Sequence, residues 1–445
     1  MKIAILGAGV SGLSLARMLQ QGGIPLSDLH LFEADDQTGG LCQSKTVDGF
    51  TYDVAGGHIL FSKDVEAMDW MRREGGGEDS FVQRDRNTKI RFDDRWVQYP
   101  FENGLGDLPD VAKFECLRGY VESWHKRQLE ERDGTSQAPR DFKSWIRWRF
   151  GDGIADHFMD PYNEKIWKRP LEDITSEWVA GRVPDAPIDD VLRAAIGIRT
   201  EGYTHQAIFY YPKQGGFQAI TDGITRTVES QVRLSTKVEH VVKHGEGWKV
   251  NGEDFDLVVS TLPLNEVPDV LEGVPEGVAS AMRGLAYNSL VTFLVALDRP
   301  EHPNLSWVYL PQHRQGPVNR VTYMSNYSPG NAPEGKTSFL FEITAPGGQP
   351  LPGQELEAEV LRGVEDAGLL KRDEVLFTDR SSVEYAYIVY DHHLFERRRT
   401  ALDWCEQHGF QLLGRFGHYD YFNSDQCVIA ARELAGSILS RAAKG

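Results

Sequence analysis

Three glycines near the start of the chain have the spacing that a dinucleotide cofactor needs. Gly7, Gly9 and Gly12 form G-x-G-x-x-G between the apolar run KIAIL and the helical pattern SGLSLARMLQQGG. The first glycine permits a tight turn, the second lets a pyrophosphate approach the backbone, and the third lets helix and strand pack closely. Glu33 ends the next apolar run, where its carboxylate can accept hydrogen bonds from an adenosine ribose. Strand, helix and acid together predict a dinucleotide site, and a glycine-rich turn without a ligand is the alternative.

A second glycine pair favours one dinucleotide over another. Gly39 and Gly40, followed by Leu41, come shortly after Glu33. A further turn with exposed backbone amides at this point is typical of FAD-binding chains, although the basic residue that usually precedes the pair is absent. The pattern therefore favours FAD over NAD.

Arg182 is the side chain in the middle of the sequence whose type most suggests a ligand. It lies between glycine and proline in EWVAGRVPDAP, a segment of a strongly acidic chain. A guanidinium binds phosphate or carboxylate oxygens through its fork of N–H groups. We therefore expect Arg182 to bind an anion, and a surface arginine paired with Asp185 or Glu177 is the alternative.

The elements that must position these residues follow from hydrophobic periodicity. The N-terminal glycine motif lies in a βαβ unit, residues 86 to 98 predict a hairpin, and residues 105 to 200 are mostly helical. Residues 287 to 345 alternate like antiparallel strands. QELEAEVLRGVEDAGLL predicts an amphipathic helix, and SDQCVIAARELAGSILSRAA predicts a terminal helix with Ser424 as its N-cap.

Bulk composition excludes several classes of partner. The chain has 445 residues and 48 basic against 66 acidic residues, for a formal net charge of −18. Such a surface repels nucleic acid and anionic lipid. The four cysteines are far apart and form no C-x-x-C pair, which favours reduced thiols in a cytoplasmic protein. We expect no metal site, no signal peptide and no membrane span.

Several further segments resemble the UDP-galactopyranose mutase family, especially its eukaryotic-type members. The most specific motifs are Y-P-F, P-Y-N-x-K-x-W, G-R-V and S-N-Y-S-P. They occur in family order, and the resemblance covers essentially the whole chain. The matching segments are 56–62, 96–104, 151–170, 178–184, 210–220, 319–329 and 414–421.

The resemblance, with the mixed order of the elements, predicts an α/β fold. In that fold a Rossmann-like FAD-binding domain is interleaved with a helical domain and an antiparallel β-sheet substrate domain. The expected ranges are 1–85, 210–285 and 405–445 for the FAD-binding domain, 100–205 for the helical domain, and 86–99 with 286–404 for the substrate domain.

The family resemblance implies a flavin-dependent isomerase rather than an oxidase. In that family N5 of reduced FAD attacks the anomeric carbon of a nucleoside diphosphate sugar, and the pyranose and furanose forms interconvert with no net redox change. A reductant, for which NAD(P)H is a candidate, first supplies the reduced flavin. The implied partner is a small NDP-sugar such as UDP-galactose, and a homo-oligomer is compatible with the sequence.

Residue by residue, the resemblance assigns the anion and flavin contacts. Arg182 and Arg320 match two arginines that clamp the diphosphate, and Gly181 and Pro184 would shape a loop that closes over it. Tyr421 matches a tyrosine that binds the same diphosphate. A second such tyrosine is Tyr387, with Tyr385 and Tyr390 as alternatives. Arg415, Gly57, the backbone of His58, and Asn423 at the start of the last helix match flavin contacts.

The same resemblance assigns the walls of the sugar and base pockets. Asn163 and Trp167 match the wall beside the sugar, although Trp167 is equally compatible with a helical core. Tyr99 and Phe101 match aromatics that sandwich the uracil. The family glutamine that follows them is Glu102 here. Because a carboxylate only accepts hydrogen bonds, we hypothesise that nucleotide preference differs from UDP.

Two other functions compete with the mutase. Flavin amine oxidases and protoporphyrinogen oxidase-like enzymes share this fold and the first glycine motif, so fold alone does not choose. An oxidase needs an apolar pocket for an uncharged amine, whereas two arginines with tyrosines indicate an anion. A flavin-binding relative without catalysis is the third reading, and Glu102 is its support.

Overall fold

The computed structural model describes residues 1–179, 182–183, 187–200, 207–353 and 355–443. The strands in chain order are β1 (Ile3–Leu6), β2 (Leu29–Phe32), β3 (Ser44–Val47), β4 (Phe50–Asp53), β5 (Phe81–Asp85), β6 (Thr88–Phe92), β7 (Arg95–Gln98), β8 (Ile208–Pro212), β9 (Val232–Arg233), β10 (Val241–His244), β11 (Gly247–Val250), β12 (Glu253–Phe255), β13 (Leu257–Ser260), β14 (Tyr287–Leu297), β15 (Trp307–Tyr309), β16 (Arg320–Thr322), β17 (Thr337–Pro346), β18 (Val375–Ile388) and β19 (Gln411–Leu412).

A π-helical turn, Ala155–Met159, joins the fourth and fifth helices. The helices are α1 (Val10–Gln21), α2 (Val65–Glu74), α3 (Asp110–Arg132), α4 (Phe142–Ile154), α5 (Asp160–Trp167), α6 (Ile188–Ala195), α7 (Gln218–Val228), α8 (Val267–Val270), α9 (Glu276–Arg283), α10 (Met324–Tyr327), α11 (Glu355–Asp366), α12 (Leu394–Gln407) and α13 (Ser424–Ala442).

A five-stranded parallel sheet carries the N-terminal glycine motif. Its order is β19-β13-β1-β2-β9, with Ile3 opposite both Leu257 and Leu29. All four residues of β1 are fully buried, as expected for a central strand of a parallel sheet that is covered on both faces. Helix α1 packs against α7 and α13. The carboxyl ends of β1, β2 and β13 therefore open on the same side.

The second large sheet has seven strands. Its order is β18-β14-β17-β16-β15-β6-β7, and every pair is antiparallel except β15 with β6. The strands β14 and β17 pair along ten residues and are almost entirely buried. In this register Arg320 lies opposite Glu342 on β17 and Tyr309 on β15. The sheet thereby places three polar side chains next to one another.

The helical region is held together by close backbone contacts. Helix α3 packs along α4, and a Cβ atom added at Gly153 would lie 2.3 Å from the Glu115 carbonyl oxygen. Gly151 has φ +77° and approaches Gly119 equally closely. Because any side chain at these glycines would separate the helices, the pattern explains the glycines in the segment FGDG.

The predicted fold class is confirmed: a parallel sheet, helices and a separate, largely antiparallel sheet make up the chain. The hairpin predicted for residues 86 to 98 is β6 with β7. One detail was wrong, because the N-cap of the last helix is Asn423 and not Ser424. Asn423 and Gln426 form a reciprocal capping box, with the Asn423 N–H donating to Gln426 at 2.9 Å. Among the described residues, no helix has the length and apolar character needed to span a bilayer.

Candidate active site

A cavity of about 1220 Å³, which we call the central cavity, lies between the two large sheets. One end is formed by Gly7 after β1, Glu33 after β2 and Thr261 after β13. The other end includes Tyr309 and Arg320 from the seven-stranded sheet. Since ligands of open α/β sheets bind beyond the carboxyl ends of the strands, the first end is suited to a cofactor. The second end is suited to a polar substrate.

The first glycine turn is shaped for close approach to backbone. Gly7 has φ +103°, and a Cβ atom at Gly12 would lie 2.1 Å from the Gly7 carbonyl oxygen. Helix α1 begins after Gly9 without a side-chain cap, and Gly9, Val10 and Ser11 line the central cavity. The uncapped N–H groups of the first helical turn are donors for a phosphate.

The second glycine turn packs directly against the first. Gly39 has φ +111° and Gly40 has φ +54°; the Gly39 N–H donates to the Ala8 carbonyl at 3.0 Å, and Gly40 lies against the Cα atom of Gly9. Glu33 accepts a hydrogen bond from the Ala8 N–H at 2.8 Å. Gly40 and Leu41 line the central cavity. The predicted dinucleotide residues are thus brought together around one end of the cavity.

A third turn, formed by Gly56, Gly57 and His58, lies at the middle of the central cavity. Gly56 has φ +94°, and a Cβ atom at Gly57 would lie 2.7 Å from Thr322. The His58 N–H donates to the buried Asp53 carboxylate at 3.1 Å. Burial lowers the pKa of the His58 imidazole, so that the ring is neutral at pH 7. All three residues of the turn line the cavity, and the expectation that the His58 backbone contacts a flavin stays a prediction.

Arg320 is held rigidly at the substrate end by one buried carboxylate. Its Nε and Nη2 atoms both contact Glu342 Oε1 at 2.7 Å, and the Glu342 side chain is 1% exposed. Glu342 also accepts a hydrogen bond from the Gly57 N–H at 3.2 Å. Burial alone would lower the pKa of the guanidinium, but the Glu342 carboxylate outweighs this effect and the pKa lies above its usual value. Glu342 therefore fixes the arginine and the adjoining turn together.

Arg182 lies at the edge of the same cavity but is held more loosely. Its Nη1 atom donates to the Trp178 carbonyl at 3.0 Å, and its Nη2 atom lies 3.6 Å from Asp420 Oδ1. The guanidinium is 5.4 Å from the ring centroid of Tyr421. The Arg415 guanidinium lies 4.4 Å from the centroid of the same ring. The Tyr421 ring thus lies near two guanidiniums. Among the described residues, the carboxylate beside Arg182 is that of Asp420 rather than that of Glu177. Gly181, Pro184 and Asp185 lie outside the described residues.

The structure separates the three tyrosine alternatives. Tyr387 lines the cavity 6.0 Å from the Arg415 guanidinium, and burial, with the Glu342 carboxylate, raises its pKa. Tyr385 also lines the cavity, but its hydroxyl donates to Glu266 at 2.7 Å. Tyr390 is buried and packs against Trp178. The Tyr390 ring lies 5.4 Å from the Arg182 guanidinium, but Tyr390 does not line the cavity. Of the three, Tyr387 is therefore the one that both lines the cavity and lies beside an arginine.

Comparison with known families settles the broad class. The family model of flavin containing amine oxidoreductases matches residues 10–398, most of the chain. The chain belongs to this family. The prediction of a flavin cofactor is confirmed at this level, and the two glycine turns, the uncapped α1 and Glu33 fit the dinucleotide part of such a cofactor.

The proteins that this chain resembles have different activities by name. Coproporphyrinogen III oxidase of Staphylococcus aureus (strain NCTC 8325 / PS 47) is 19% identical over 376 residues, 78% of each chain. A 4,4'-diapophytoene desaturase of Staphylococcus aureus (strain MRSA252) is 24% identical over 61% of this chain and 57% of its own. A crystal structure of reduced UDP-galactopyranose mutase superposes with a TM-score of 0.90 at 26% identity, covering 99% of this chain and 96% of that one.

Four of the residues predicted to bind substrate do not line the central cavity: Phe101, Glu102, Asn163 and Trp167. Phe101 is fully buried and stacks on Phe158 at 4.8 Å. Asn163 donates to the Met159 carbonyl, and Trp167 packs against Trp178. Of the residues matched to the uracil sandwich, only Tyr99 lines the cavity. The aromatic pair is divided because Tyr99 and Phe101 are separated by Pro100 at the end of the hairpin, where the chain turns inward.

Glu102 is buried in the helical region rather than exposed to the cavity. Its Oε1 atom has no hydrogen-bond partner among the described residues, and burial raises its pKa to about 7. The nucleotide-preference hypothesis required this carboxylate to face a base. Its placement removes that basis, and we expect Glu102 to affect stability instead.

Replacing Glu102 with glutamine is expected to stabilise the protein at alkaline pH. The folded-state pKa of about 7 lies above the unfolded value of 4.5, so ionisation costs stability as the pH rises through this window and the loss is complete above it. A shift of this size corresponds to about 3 kcal/mol. We expect the free energy of unfolding of Glu102→Gln at pH 8 to exceed that of wild type by about 1–3 kcal/mol.

Urea denaturation at pH 4.5 and pH 8 measures this effect. Glu122→Gln, a change of the same type at an exposed position of α3, serves as the control and should leave the pH dependence unchanged. A pH dependence that is the same in Glu102→Gln and in wild type would contradict the assignment of a buried, neutral carboxyl.

Several residues of the substrate end were missed by sequence analysis. Trp307 and Tyr309 line the cavity from β15, and the Arg86 guanidinium lies 4.8 Å and 5.0 Å from the Trp307 and Tyr99 rings. Glu342 was missed as well. Tyr309 and Glu342 could have been found from the residues that lie opposite Arg320 on the neighbouring strands. This inference requires the pairing of β15, β16 and β17 to be known.

Proposed function

We propose that the chain is a flavin-dependent mutase that interconverts the pyranose and furanose forms of a UDP-galactose-like NDP-sugar. The observation that carries the proposal is that Arg182, Arg320, Tyr387 and Tyr421 line one cavity together with the dinucleotide turns. Among the described residues, four arginines line this cavity, counting Arg86 and Arg415, in a chain whose formal net charge is −18. Such a local excess of guanidiniums suits a diphosphate better than an uncharged amine or a hydrocarbon.

The chain's own residues have three tasks in this reaction. When bound in its reduced form, FAD supplies N5 as the nucleophile for the anomeric carbon. Arg320 and Arg182 bind the diphosphate and stabilise the negative charge that it gains as it leaves the sugar. The hydroxyls of Tyr387 and Tyr421 donate to the same oxygens. The Gly56–His58 turn presents backbone rather than side chain to the ring system, which allows close approach. NAD(P)H is the reductant we propose.

The likeness to reduced UDP-galactopyranose mutase over nearly the whole chain supports this proposal. The likeness to coproporphyrinogen III oxidase supports the competing one, a flavin-dependent oxidase. The two differ in chemistry, since an oxidase transfers electrons to an acceptor and a mutase returns the flavin in the state in which it started.

Anaerobic turnover tests the proposal. The FAD-loaded protein is reduced with dithionite, mixed with UDP-galactofuranose, and the appearance of UDP-galactopyranose is followed by chromatography. In parallel, the oxidised protein is supplied with air and coproporphyrinogen III or amines, and hydrogen peroxide is measured. Conversion that depends on flavin reduction supports the mutase. Peroxide formation without isomerisation would assign the chain to the oxidases.

Tyr387→Phe is expected to lower kcat/KM by about tenfold, the effect of losing one hydrogen bond to a charged group. Tyr385→Phe is the matched control, because the Tyr385 hydroxyl binds Glu266, and its kcat/KM should stay within about twofold of wild type. Both values come from the anaerobic assay. The reverse order of effects would transfer the diphosphate contact to Tyr385.

A further inference from the structure

The two arginines at the substrate end are held in different ways. Arg320 makes two contacts of 2.7 Å to a carboxylate that is 1% exposed. Arg182 lies 3.6 Å from Asp420, a distance beyond a good hydrogen bond, and the two side chains are 32% and 26% exposed. The first pair is fixed by burial and geometry. The second pair can exchange, because exposed ion pairs are weak.

Asp420 has a second cationic partner that does not line the central cavity. Arg398, on α12, donates from Nη2 to Asp420 Oδ2 at 2.9 Å and from Nε to the His418 carbonyl at 2.8 Å. The Asp420 Oδ1 atom also accepts a hydrogen bond from the Tyr421 N–H at 2.7 Å. Asp420 therefore keeps a counter-charge and a hydrogen-bond donor when Arg182 moves away from it.

Asp420 lies beside the guanidinium that an anion in the cavity would bind. Arg182 has its Nη2 atom directed to Asp420 and its guanidinium 5.4 Å from the Tyr421 and Tyr390 rings. Both rings can keep a cation–π contact with the Arg182 guanidinium when its hydrogen-bond partner changes. A diphosphate that binds Arg182 displaces Asp420 from it. The free energy of the Arg182–Asp420 pair therefore reduces the free energy of diphosphate binding.

We infer that Asp420 is a positioning residue that sets the affinity of the site for the diphosphate. Asp420 competes for Arg182, and Arg398 weakens that competition by sharing the carboxylate. This inference deepens the proposed function, because it rests on Arg182 as a ligand of the substrate diphosphate. It predicts effects of opposite sign on diphosphate affinity when the charge of Asp420 and the charge of Arg398 are removed. Simple damage to the fold would give effects of one sign.

The experiment measures the dissociation constant of UDP for the FAD-loaded, oxidised protein by calorimetry at 50 mM and 500 mM salt. Asp420→Asn should bind UDP about three- to tenfold more tightly than wild type, because Arg182 is released from its competitor. Arg398→Met should bind UDP more weakly by a similar factor, because Asp420 then has Arg182 as its remaining cation. Both changes should shrink at high salt, where exposed pairs are screened.

A neighbouring pair provides matched controls. Arg397, also on α12, pairs with Asp391 at 3.2 Å, and neither residue lines the central cavity. Asp391→Asn and Arg397→Met change the net charge in the same way and should leave the dissociation constant within about twofold of wild type. If Asp420→Asn and Arg398→Met both weaken binding, or both match these controls, the inference is overturned.

The outcome for this inference is separate from that for the proposed function. Opposite shifts in UDP affinity without isomerisation would support the anion competition and overturn the mutase. Isomerisation without opposite shifts would support the mutase and overturn the role of Asp420. A wild-type protein that binds neither UDP nor inorganic pyrophosphate would overturn both.

Discussion

Arg320→Lys is expected to lower kcat/KM for the anaerobic conversion of UDP-galactofuranose by about 10²- to 10³-fold, the usual loss when one preorganised donor to a developing negative charge is removed. The contacts of Arg320 with Glu342 use Nε and Nη2, and Nη2 lies 3.4 Å from the Gly57 carbonyl. The guanidinium can therefore bind the buried carboxylate and still offer Nη1 to a diphosphate. A lysine ammonium is one point charge and serves one of these partners at a time.

Lysine is the informative replacement because it preserves the charge beside Glu342. Removing the cation altogether would leave a buried carboxylate without a counter-charge, which typically costs about 3–5 kcal/mol of stability. Unfolding would then be confused with loss of function. The flavin content and melting temperature of Arg320→Lys should therefore stay close to those of wild type. Arg314→Lys, at an exposed position, makes the same chemical change away from the cavity.

The KM and kcat of Arg320→Lys show which state of the reaction the arginine supports. If Arg320 stabilises the charge that grows on the leaving diphosphate, kcat falls together with kcat/KM; if it binds only the ground state, KM rises and kcat is preserved. Activity within about threefold of the Arg314→Lys control would remove Arg320 from the site and, with it, the main argument for an anionic substrate.

The cofactor end of the site could be predicted from sequence because its requirements are local. The turn at Gly7, the close approach at Gly12 and the acid at Glu33 lie within one βαβ unit, and each is dictated by backbone geometry over a few residues. The second turn at Gly39 is equally local. Gly7, Glu33 and Gly40 line one end of the central cavity. Gly12 and Gly39 belong to the same two turns but do not line the cavity.

The substrate end depends on contacts between distant segments, and there the sequence was less informative. Arg320 could be named from a motif, but its counter-ion Glu342 follows from the register of β16 with β17. Asp420 and Arg182 are far apart in the sequence and are brought together by tertiary packing. The predicted division into three domains, with its ranges, stays a prediction.

For the predicted base-binding residues, the motif assigned more residues to the ligand than the structure places at the cavity. Tyr99 and Phe101 are two residues apart, and the resemblance places both beside a uracil. In the structure the intervening backbone turns so that Phe101 and Glu102 enter the core while Tyr99 lies 5.2 Å from Tyr309 at the cavity wall. A motif gives the order of residues along the chain, whereas burial decides which of them reach a ligand.

Gly12→Ala is expected to remove most of the bound FAD. A Cβ atom at this position would lie 2.1 Å from the Gly7 carbonyl oxygen and 3.1 Å from the Ile5 side chain. The Gly7 oxygen is backbone, so the overlap is relieved only if α1 moves away from β1 or the turn itself shifts. Either movement displaces the uncapped N–H groups at the start of α1 from the place where a pyrophosphate would meet them.

The expected size of the effect follows from the cost of overpacking. One extra methyl group in a closely packed contact costs about 1–3 kcal/mol, and here the strain falls on the cofactor turn itself. We expect the dissociation constant of FAD to rise by about 100-fold, or about 2.7 kcal/mol, and the purified variant to lack most of its absorbance near 450 nm. The constant is measured by titrating FAD into the deflavinated protein and following the quenching of flavin fluorescence.

Gly436→Ala is the matched control, because Gly436 lies within α13 and an added Cβ atom meets no other atom within 4 Å. Alanine favours a helix over glycine by about 1 kcal/mol, so this variant should keep its FAD and be slightly more stable than wild type. If Gly12→Ala keeps a full complement of flavin, the pyrophosphate does not lie on this turn. The glycine motif would then serve only to pack α1 against β1, and the cofactor end of the central cavity would have to be assigned anew.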